Sequence, residues 1–278
     1  MLYRIIVAAL LLALPQQAFA WSKEADETIA LIAAKSLSAK SEGKVKALLA
    51  LGHEESLATA ASWADRILST PSGKGTENWH MTAIPLDAKS YDKARDCARD
   101  DCAVEQVGRW AGRLRGGSQA EQVFALKFLT NLVGAVHEPV RNAAGNGARA
   151  VKFDGNATTL LAVWDRELIV KIYGTSDSAQ IAAAVLKDKA LGDPAKLQAG
   201  TPAEWATDSH LKAAKFAYGP LSGPEPQAIN PAYIDAARPV IQEQLLKAGL
   251  RLARLLNEAL DYDPPSDDEE ASQGVLGK

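Results

Sequence analysis

The sequence predicts a mostly α-helical protein, and three observations support that prediction. Apolar residues recur every three to four positions over long stretches, which is the period of a helix with one buried face. Alternating runs of β-branched residues, typical of half-buried strands, are nearly absent. Clusters of Gly, Pro and Ser separate the periodic stretches and mark helix ends. The Ala- and Leu-rich composition then indicates a helical protein with a large core.

The first half of the chain is expected to form helices around one extended piece. Ala25, Ile29 and Ile32 lie at helical spacing in the first of them. A Gly/Pro/Ser-rich break at 69–75 leads to an extended segment at Asn78–Pro85, and Gly116-Gly117 follows a later helix as a stop. The predicted helices are Trp21–Leu37, Glu42–Leu51, Glu54–Leu68, Cys102–Leu114 and Ala120–Val136.

The second half begins with a Gly/Asn/Ala loop at Asn142–Gly155, partly extended at Ala150–Phe153. Helical periodicity resumes through Leu160, Trp164 and Leu168. The predicted helices are Thr158–Tyr173, Ala179–Lys187, Pro202–Tyr218 and Asn230–Leu260.

Residues 1–20 have the pattern of a secretory signal peptide. Arg4 supplies the positive start, Ile5–Leu14 the apolar run, and Ala18-Phe19-Ala20 the cleavage site. The alternative, a retained membrane anchor, is disfavoured because spanning a bilayer takes about 18 or more apolar residues. The prediction is a secreted or periplasmic protein whose mature chain begins at Trp21, with one helical domain over residues 21–260.

The segment 261–278 differs in character from the rest. Pro264 and Pro265 precede an acidic run, Asp267–Glu270, with few core-forming residues beyond. We expect a disordered acidic tail. A calcium-binding loop would need ligands spaced around a central Gly, which this run lacks.

The net charge and the two cysteines limit which ligands and which cellular compartment the sequence favours. Loss of Arg4 with the leader changes the net charge from −3 to −4, so binding of a polyanion would need a local site. Cys97 and Cys102 predict a disulfide in an oxidising compartment. A zinc pair is the alternative, but no second Cys or His pair lies nearby.

The most informative stretch is Leu126–Arg141, LKFLTNLVGAVHEPVR. It resembles the metal-binding helix of the S1/P1 nuclease family, whose pattern runs L-K-F-L-x-H-x-x-G-D-x-H-Q-P-L-H. The frame is kept, including Gly134 and Pro139. Where the family has a His, an Asp and a His that point toward zinc ions, this chain has Asn131, Ala135 and Arg141.

Further motifs resemble the same family in the expected order along nearly the whole mature chain. The resemblance implies an all-α single domain of the S1/P1 nuclease and phospholipase C type. It also implies single-stranded nucleic acids and 3′-phosphorylated nucleotides as ligands. The matching pieces are Trp21, Ser62–Asp65, Trp79-His80 with Ile84-Pro85, the cysteine loop, Thr159–Asp165, Tyr233–Pro239 and Leu250–Leu260.

The family's three-zinc site draws on nine protein positions, and the resemblance assigns them here residue by residue. Four keep their residue type, namely Trp21, Asp65, His80 and Asp165. Asp65 is also the expected catalytic residue. The other positions hold Asp26, Asn131, Ala135, Arg141 and Leu161. We therefore expect that full three-ion occupancy is absent, and that Arg141 contacts phosphate instead, since guanidinium groups bind phosphate without a metal.

Taken one by one, these residues also have structural interpretations. Asp65 fits a solvated or helix-pairing carboxylate, His80 a hydrogen-bonded structural histidine, and Asp165 a local partner of Arg166. His137 is expected to bond local backbone, and His210 is expected at the surface. Trp63, Trp79 and Trp164 are predicted to belong to the core rather than to a base-stacking platform.

Three functions remain open at this stage. The first is an exported, monomeric S1/P1-type endonuclease relative with weak or absent hydrolysis that binds anions or nucleic acid. The second is a working phosphodiesterase with fewer zinc ions, held by Asp65, His80 and the Trp21 terminus, with Asp26 and Asn131 as doubtful ligands. The third is a secreted partner-binding protein.

Overall fold

The structure, a computed structural model, describes residues 21–145 and 147–262 and consists mainly of helices. The helices are α1 (Lys23–Ala34), α2 (Ala39–Leu51), α3 (Leu57–Ala61), α4 (Trp63–Leu68), α5 (Lys93–Asp96), α6 (Ala103–Gly116), α7 (Gln119–Ala135), α8 (Leu160–Ala162), α9 (Leu168–Tyr173), α10 (Ser178–Lys187), α11 (Pro194–Leu197), α12 (Pro202–Lys212) and α13 (Pro231–Leu260). The predicted signal peptide lies outside the described residues, as does the predicted tail beyond Tyr262. The all-α fold class is confirmed.

Helix α7 lies at the centre of the fold. Ser118 and Glu121 form a reciprocal capping box that fixes its first turn. Every residue from Ala125 to Ala135 is buried, because α1, α2, α3, α4 and α6 all contact this helix. A helix buried on all sides turns even its polar side chains toward other protein groups. Asn131 therefore faces the interior.

Helices α1 and α13 pack closely beside this centre. A Cβ at Gly249 of α13 would come within 2.4 Å of the Ile32 side chain, so only glycine permits this approach of the two helices. Helix α13 is the longest and begins at a cap in which Asn230 accepts a hydrogen bond from the Tyr233 N–H. The contact fixes α1, and with it Asp26.

A small sheet of strand order β2-β1-β3 accompanies the helices. Strand β1 (Ala150–Phe153) pairs antiparallel with β2 (Asn156–Thr159), with Ala150 opposite Thr159, and parallel with β3 (Gln227–Ala228). The expected extended piece at Ala150–Phe153 is confirmed. The predicted helical start at Thr158 is wrong, because Thr158 pairs with Val151 in the hairpin.

The predicted helix Glu54–Leu68 is two helices, which matters for the site. Ser56 accepts a hydrogen bond from the Thr59 N–H and starts α3 at Leu57. Arg66 donates to the Thr59 carbonyl and the Ser62 hydroxyl, which stabilises the break between α3 and α4. The short helix α4 then places Asp65 against α7.

Two other expectations also have outcomes. The predicted Asn78–Pro85 extended segment begins instead with a 3-10 turn, Glu77–His80. Cys97 and Cys102 form a disulfide bond, as predicted. Within the described ranges, no helix is long and apolar enough to cross a membrane.

Candidate functional site

Six buried polar residues, one of them on α7 and the others on elements around it, come together, and we call them the polar centre. Helix α1 contributes one carboxyl group, α4 another, and α7 an amide. The 3-10 turns Glu77–His80 and Pro139–Asn142, with the residue before the second, supply the rest. The polar centre consists of Asp26, Asp65, His80, Asn131, Glu138 and Arg141.

The Asn131 amide lies between two carboxyl groups. Its Nδ2 donates to Asp65 Oδ2 at 2.9 Å, to Asp26 Oδ2 at 3.1 Å and to the Ala61 carbonyl at 3.0 Å. The positive end of the amide dipole thus stands where carboxylates converge. The structure therefore brings together Asp26, Asp65 and Asn131, as expected. They are linked by hydrogen bonds from the Asn131 amide.

Asp26 is fully buried beside the second carboxyl group. Burial, followed by the charge of Asp65, raises the pKa of Asp26 well above its ordinary value of 3.8, so the protonated acid is favoured. Gly134 leaves room for this group, because a Cβ there would lie 2.9 Å from Asp26 Oδ1. Gly134, which matches the family pattern, thus makes room for Asp26, which departs from it.

His80 is buried next to Asp65, with Nδ1 3.4 Å from Asp65 Oδ1. Burial, followed by the charge of Arg141, lowers the pKa of His80 to about 3, so the imidazole is neutral at physiological pH. Neither ring nitrogen, nor Asn131 Oδ1, has a well-aligned hydrogen-bond partner among the described residues, although the Asn131 side chain lies close enough to the ring to raise the pKa of His80. The unprotonated nitrogen of a neutral imidazole keeps the capacity to bind a metal.

A buried ion pair completes the polar centre. Arg141 Nε lies 2.8 Å from Glu138 Oε2, and both side chains are within 1% of complete burial. Burial raises the pKa of Glu138 to about 7, against the lowering effect of Arg141. Although burial opposes it, the negative charges of Glu138, Asp165 and Asp65 hold the pKa of Arg141 above its ordinary value.

Sequence reasoning missed Glu138. In the family pattern this position is Gln and Arg141 is His, so the chain gains a negative and a positive charge three residues apart. That paired change was the available signal. Because Glu138 already pairs with the buried guanidinium, a phosphate that contacts Arg141 would have to displace this carboxylate.

Trp21 and Asp165 lie at the edge of the polar centre. The Trp21 ring is buried and donates to the Gly134 carbonyl at 2.9 Å. Burial, followed by the charge of Glu138, raises the pKa of Asp165 well above its ordinary value. A cavity of about 460 Å³ opens here. Its lining residues include Ser62, Asp65, Asp165 and the cations Lys23, Arg66 and Arg166.

These residues do not fit a three-zinc cluster. Ala135 and Leu161 have no donor atom, and Arg141 places a permanent cation among the remaining carboxylates. In the described part of the chain, no three His, Cys, Asp or Glu side chains come together as a possible metal site. Asp65, His80 and the amide oxygen of Asn131 remain as donors for one ion.

The other histidines of the sequence analysis are structural. His137 Nδ1 lies 2.7 Å from the Val133 carbonyl, as expected, and Nε2 lies 2.8 Å from the Arg251 guanidinium. The surface prediction for His210 is wrong. It is buried because α12 packs on the Pro139–Asn142 turn, where the His210 ring contacts the Asn142 carbonyl.

Comparison with known proteins gives one consistent result. The family model described as S1/P1 Nuclease matches residues 21–261. Nuclease S1 of Aspergillus oryzae is 26% identical over 90% of this chain and 96% of its own length. Nuclease P1 of Penicillium citrinum is 25% identical, covering 86% of this chain and 97% of its own length. Endonuclease 4 of Arabidopsis thaliana is 24% identical, with 89% and 91% covered.

Proposed function

Because the chain belongs to the S1/P1 nuclease family, we propose that it binds single-stranded nucleic acid or nucleotides without assembling the three-zinc cluster. Phosphodiester hydrolysis is then weak or absent. The observation that carries the proposal is the Asn131 amide, which donates to both Asp26 and Asp65. The relatives named nucleases match over almost their full lengths, which supports nucleic acid as the ligand class.

The charge balance of the polar centre supports a metal-free state. Buried carboxylates need compensation, and zinc ions are one way to supply it. Here the raised pKa of Asp26 removes one charge, the Asn131 amide solvates Asp65, and Arg141 neutralises Glu138. A zinc ion would have to displace the amide and approach a guanidinium. The carboxylates are already compensated, so the attraction that normally favours zinc binding is reduced.

The cavity beside Trp21 is the proposed binding place for a phosphate group. Lys23, Arg66 and Arg166 line it together with Ser22, Ser62 and three acidic residues, Glu24, Asp65 and Asp165. The three cations pair with Glu27, Glu54 and Glu24, so a phosphate group would compete with these carboxylates. Guanidinium groups bind phosphate with two parallel hydrogen bonds. We also propose that the protein is exported, with its mature domain over residues 21–260, which the leader pattern and the Cys97–Cys102 disulfide support. A monomeric state is proposed as well.

The test uses the mature chain, residues 21–278, supplied with excess zinc and then dialysed. We expect less than one tightly bound zinc per chain by elemental mass spectrometry. We also expect no chelator-sensitive cleavage of single-stranded DNA, together with measurable binding of a nucleotide 3′-phosphate by calorimetry. Two or three bound zinc ions per chain, with chelator-sensitive cleavage, would overturn the proposal.

A second candidate is a one-zinc phosphodiesterase. Its support is the neutral His80 ring, which lies beside Asp65 and the Asn131 side chain. A single zinc held by these three groups would supply Lewis-acid and water-activating chemistry. One zinc per chain and cleavage, both lost in His80→Ala and both kept in His53→Ala, would favour this candidate over the first.

A further inference from the structure

The six tryptophans of the chain divide into two groups. Trp21, Trp164 and Trp205 are buried in the core. Trp63, Trp79 and Trp110 are only half-buried, and they lie together on one surface. The expectation that Trp63 and Trp79 are core residues is therefore only partly met.

A fourth aromatic ring, that of Phe124, adds exposed apolar area to this surface. Phe124 is 48% exposed and lies 5.8 Å from the Trp63 ring centre. We call the four partly exposed rings, Trp63, Trp79, Trp110 and Phe124, the aromatic face. Large aromatic rings left at the surface of a folded protein often mark binding sites.

The aromatic face is held rigid from beneath by Phe128, which is buried. Trp110 stacks on Phe128 at 4.5 Å between ring centres and 18° between planes. Trp63 and Trp79 each meet the same ring at 5.3 Å in edge arrangements. These ring pairs fix the positions of the outer rings before any ligand arrives, which lowers the entropy cost of binding.

Cations accompany two of the tryptophans. Arg109 is exposed, its guanidinium carbon lies 5.7 Å from the Trp110 ring centre, and the described residues offer it no ion-pair partner. Lys127 Nζ lies 5.0 Å from the Trp63 ring centre, but it also binds the Gly52 carbonyl and pairs with Glu54 at 3.3 Å. The cation at these rings that is available to a phosphate group is therefore Arg109. At the other end, Glu77 lies two residues before Trp79.

We propose that the aromatic face binds single-stranded nucleic acid by stacking its bases on the rings, with Arg109 on the phosphate backbone. Every base has a stacking surface, so rigid rings with nearby cations are the usual platform for sequence-independent binding of single strands. The inference rests on the proposed function for its ligand class but names a different place from the cavity. On α4, Trp63 and Asp65 are two positions apart and so point to different sides.

The test measures binding of a fluorescein-labelled oligo-dT to the mature protein in chelator, by fluorescence anisotropy. Phe124→Ala combined with Arg109→Gln should weaken binding about tenfold or more, because stacking and a phosphate contact are both lost. Leu186→Ala is the matched control, since Leu186 is 42% exposed on α10 and away from the rings. It should leave the affinity unchanged.

Two results would overturn the aromatic face as a nucleic-acid site. One is an affinity for oligo-dT that the double variant leaves intact while Arg166→Gln at the cavity reduces it. The other is a concentration-dependent dimer in sedimentation that Phe124→Ala abolishes, with no oligo-dT binding, which would make the face a self-contact. Zinc content and nucleotide binding at the cavity are measured separately, so the proposed function can fail or stand independently of this result.

Discussion

The polar centre and the ion network on α12 and α13 both contain carboxyl groups beside cations, but the pKa values of those carboxyl groups shift in opposite directions. In the network, Lys212 and Lys247 both bind Asp208, at 2.6 and 2.9 Å, and Glu243 lies beside them. Although burial opposes it, these lysines lower the pKa of Asp208. In the polar centre, burial raises the pKa of Asp26 and of Glu138. The comparison shows that two cationic partners outweigh burial at Asp208, whereas burial outweighs the single cationic partner of Glu138 and is unopposed by a cation at Asp26.

The largest expected difference between the two regions is the cost of removing a cation. Arg141→Ala leaves Glu138 buried without its partner and should lower the free energy of unfolding by about 3–5 kcal/mol. Lys212→Ala in the ion network should cost at most about 1 kcal/mol, because Asp208 keeps Lys247 and is partly solvated. Urea unfolding of both variants measures the difference.

A double variant separates loss of the ion pair from loss of packing. Glu138→Gln with Arg141→Ala removes the stranded charge, so it should be more stable than Arg141→Ala alone. Equal stabilities of these two variants would mean that the Glu138 charge does not matter, and the contrast between the regions would fail.

A smaller effect is expected at Asn131. Asn131→Ala removes the donor between Asp26 and Asp65 and should cost about 1–3 kcal/mol, because two buried acceptors lose their partner. Asn78→Ala is a control for an asparagine with one exposed hydrogen bond, to Asp101, and should cost little. Similar costs for the two variants in thermal or urea unfolding would remove the special role given to the Asn131 amide.

The smallest expected effect is a difference in pH dependence. The pKa of Asp26 is raised in the folded state, so its contribution to stability is present at low pH and is lost as the pH rises above the ordinary value of 3.8. The pKa of Asp208 is lowered, so its contribution is present above that value and is lost as the pH falls below it.

Asp26→Asn should therefore flatten the change of urea midpoint between about pH 4 and pH 7, whereas Asp208→Asn should lower the midpoint above about pH 4 and flatten its change below that pH. Identical profiles for the two variants would contradict the assigned directions of the pKa shifts.

The sequence was sufficient to locate the elements of the polar centre, because the frame of Leu126–Arg141 and the order of the flanking motifs are local patterns. It was not sufficient to show what the substituted residues do. Asn131 became a hydrogen-bond donor to two carboxyl groups only because α1 and α4 converge on α7, and that convergence depends on contacts such as Gly249 against Ile32. Similarly, Glu138 becomes important only through burial, which no single position reveals.

The errors in the fold have similar physical causes. Thr158 precedes a stretch with helical periodicity, but it pairs with Val151 across the β1–β2 hairpin. Pairing with a neighbouring strand decides its conformation more strongly than the local pattern does. The sequence places no ligand partner at suitable spacing from His210, which predicts a surface position, yet α12 turns the ring into the interior, where it contacts backbone carbonyls. Trp63 and Trp79 pack on Phe128 at the edge of the core, and the described part of the chain covers them only partly.

We propose that an amide and a guanidinium replace metal ligands of the S1/P1 family in this chain, and thermal unfolding tests this most directly. The mature protein should unfold at the same temperature in chelator, in excess zinc and in excess magnesium, since a ligand that binds the folded state raises its melting temperature. A clear rise in excess zinc alone, removed by His80→Ala, would contradict the claim.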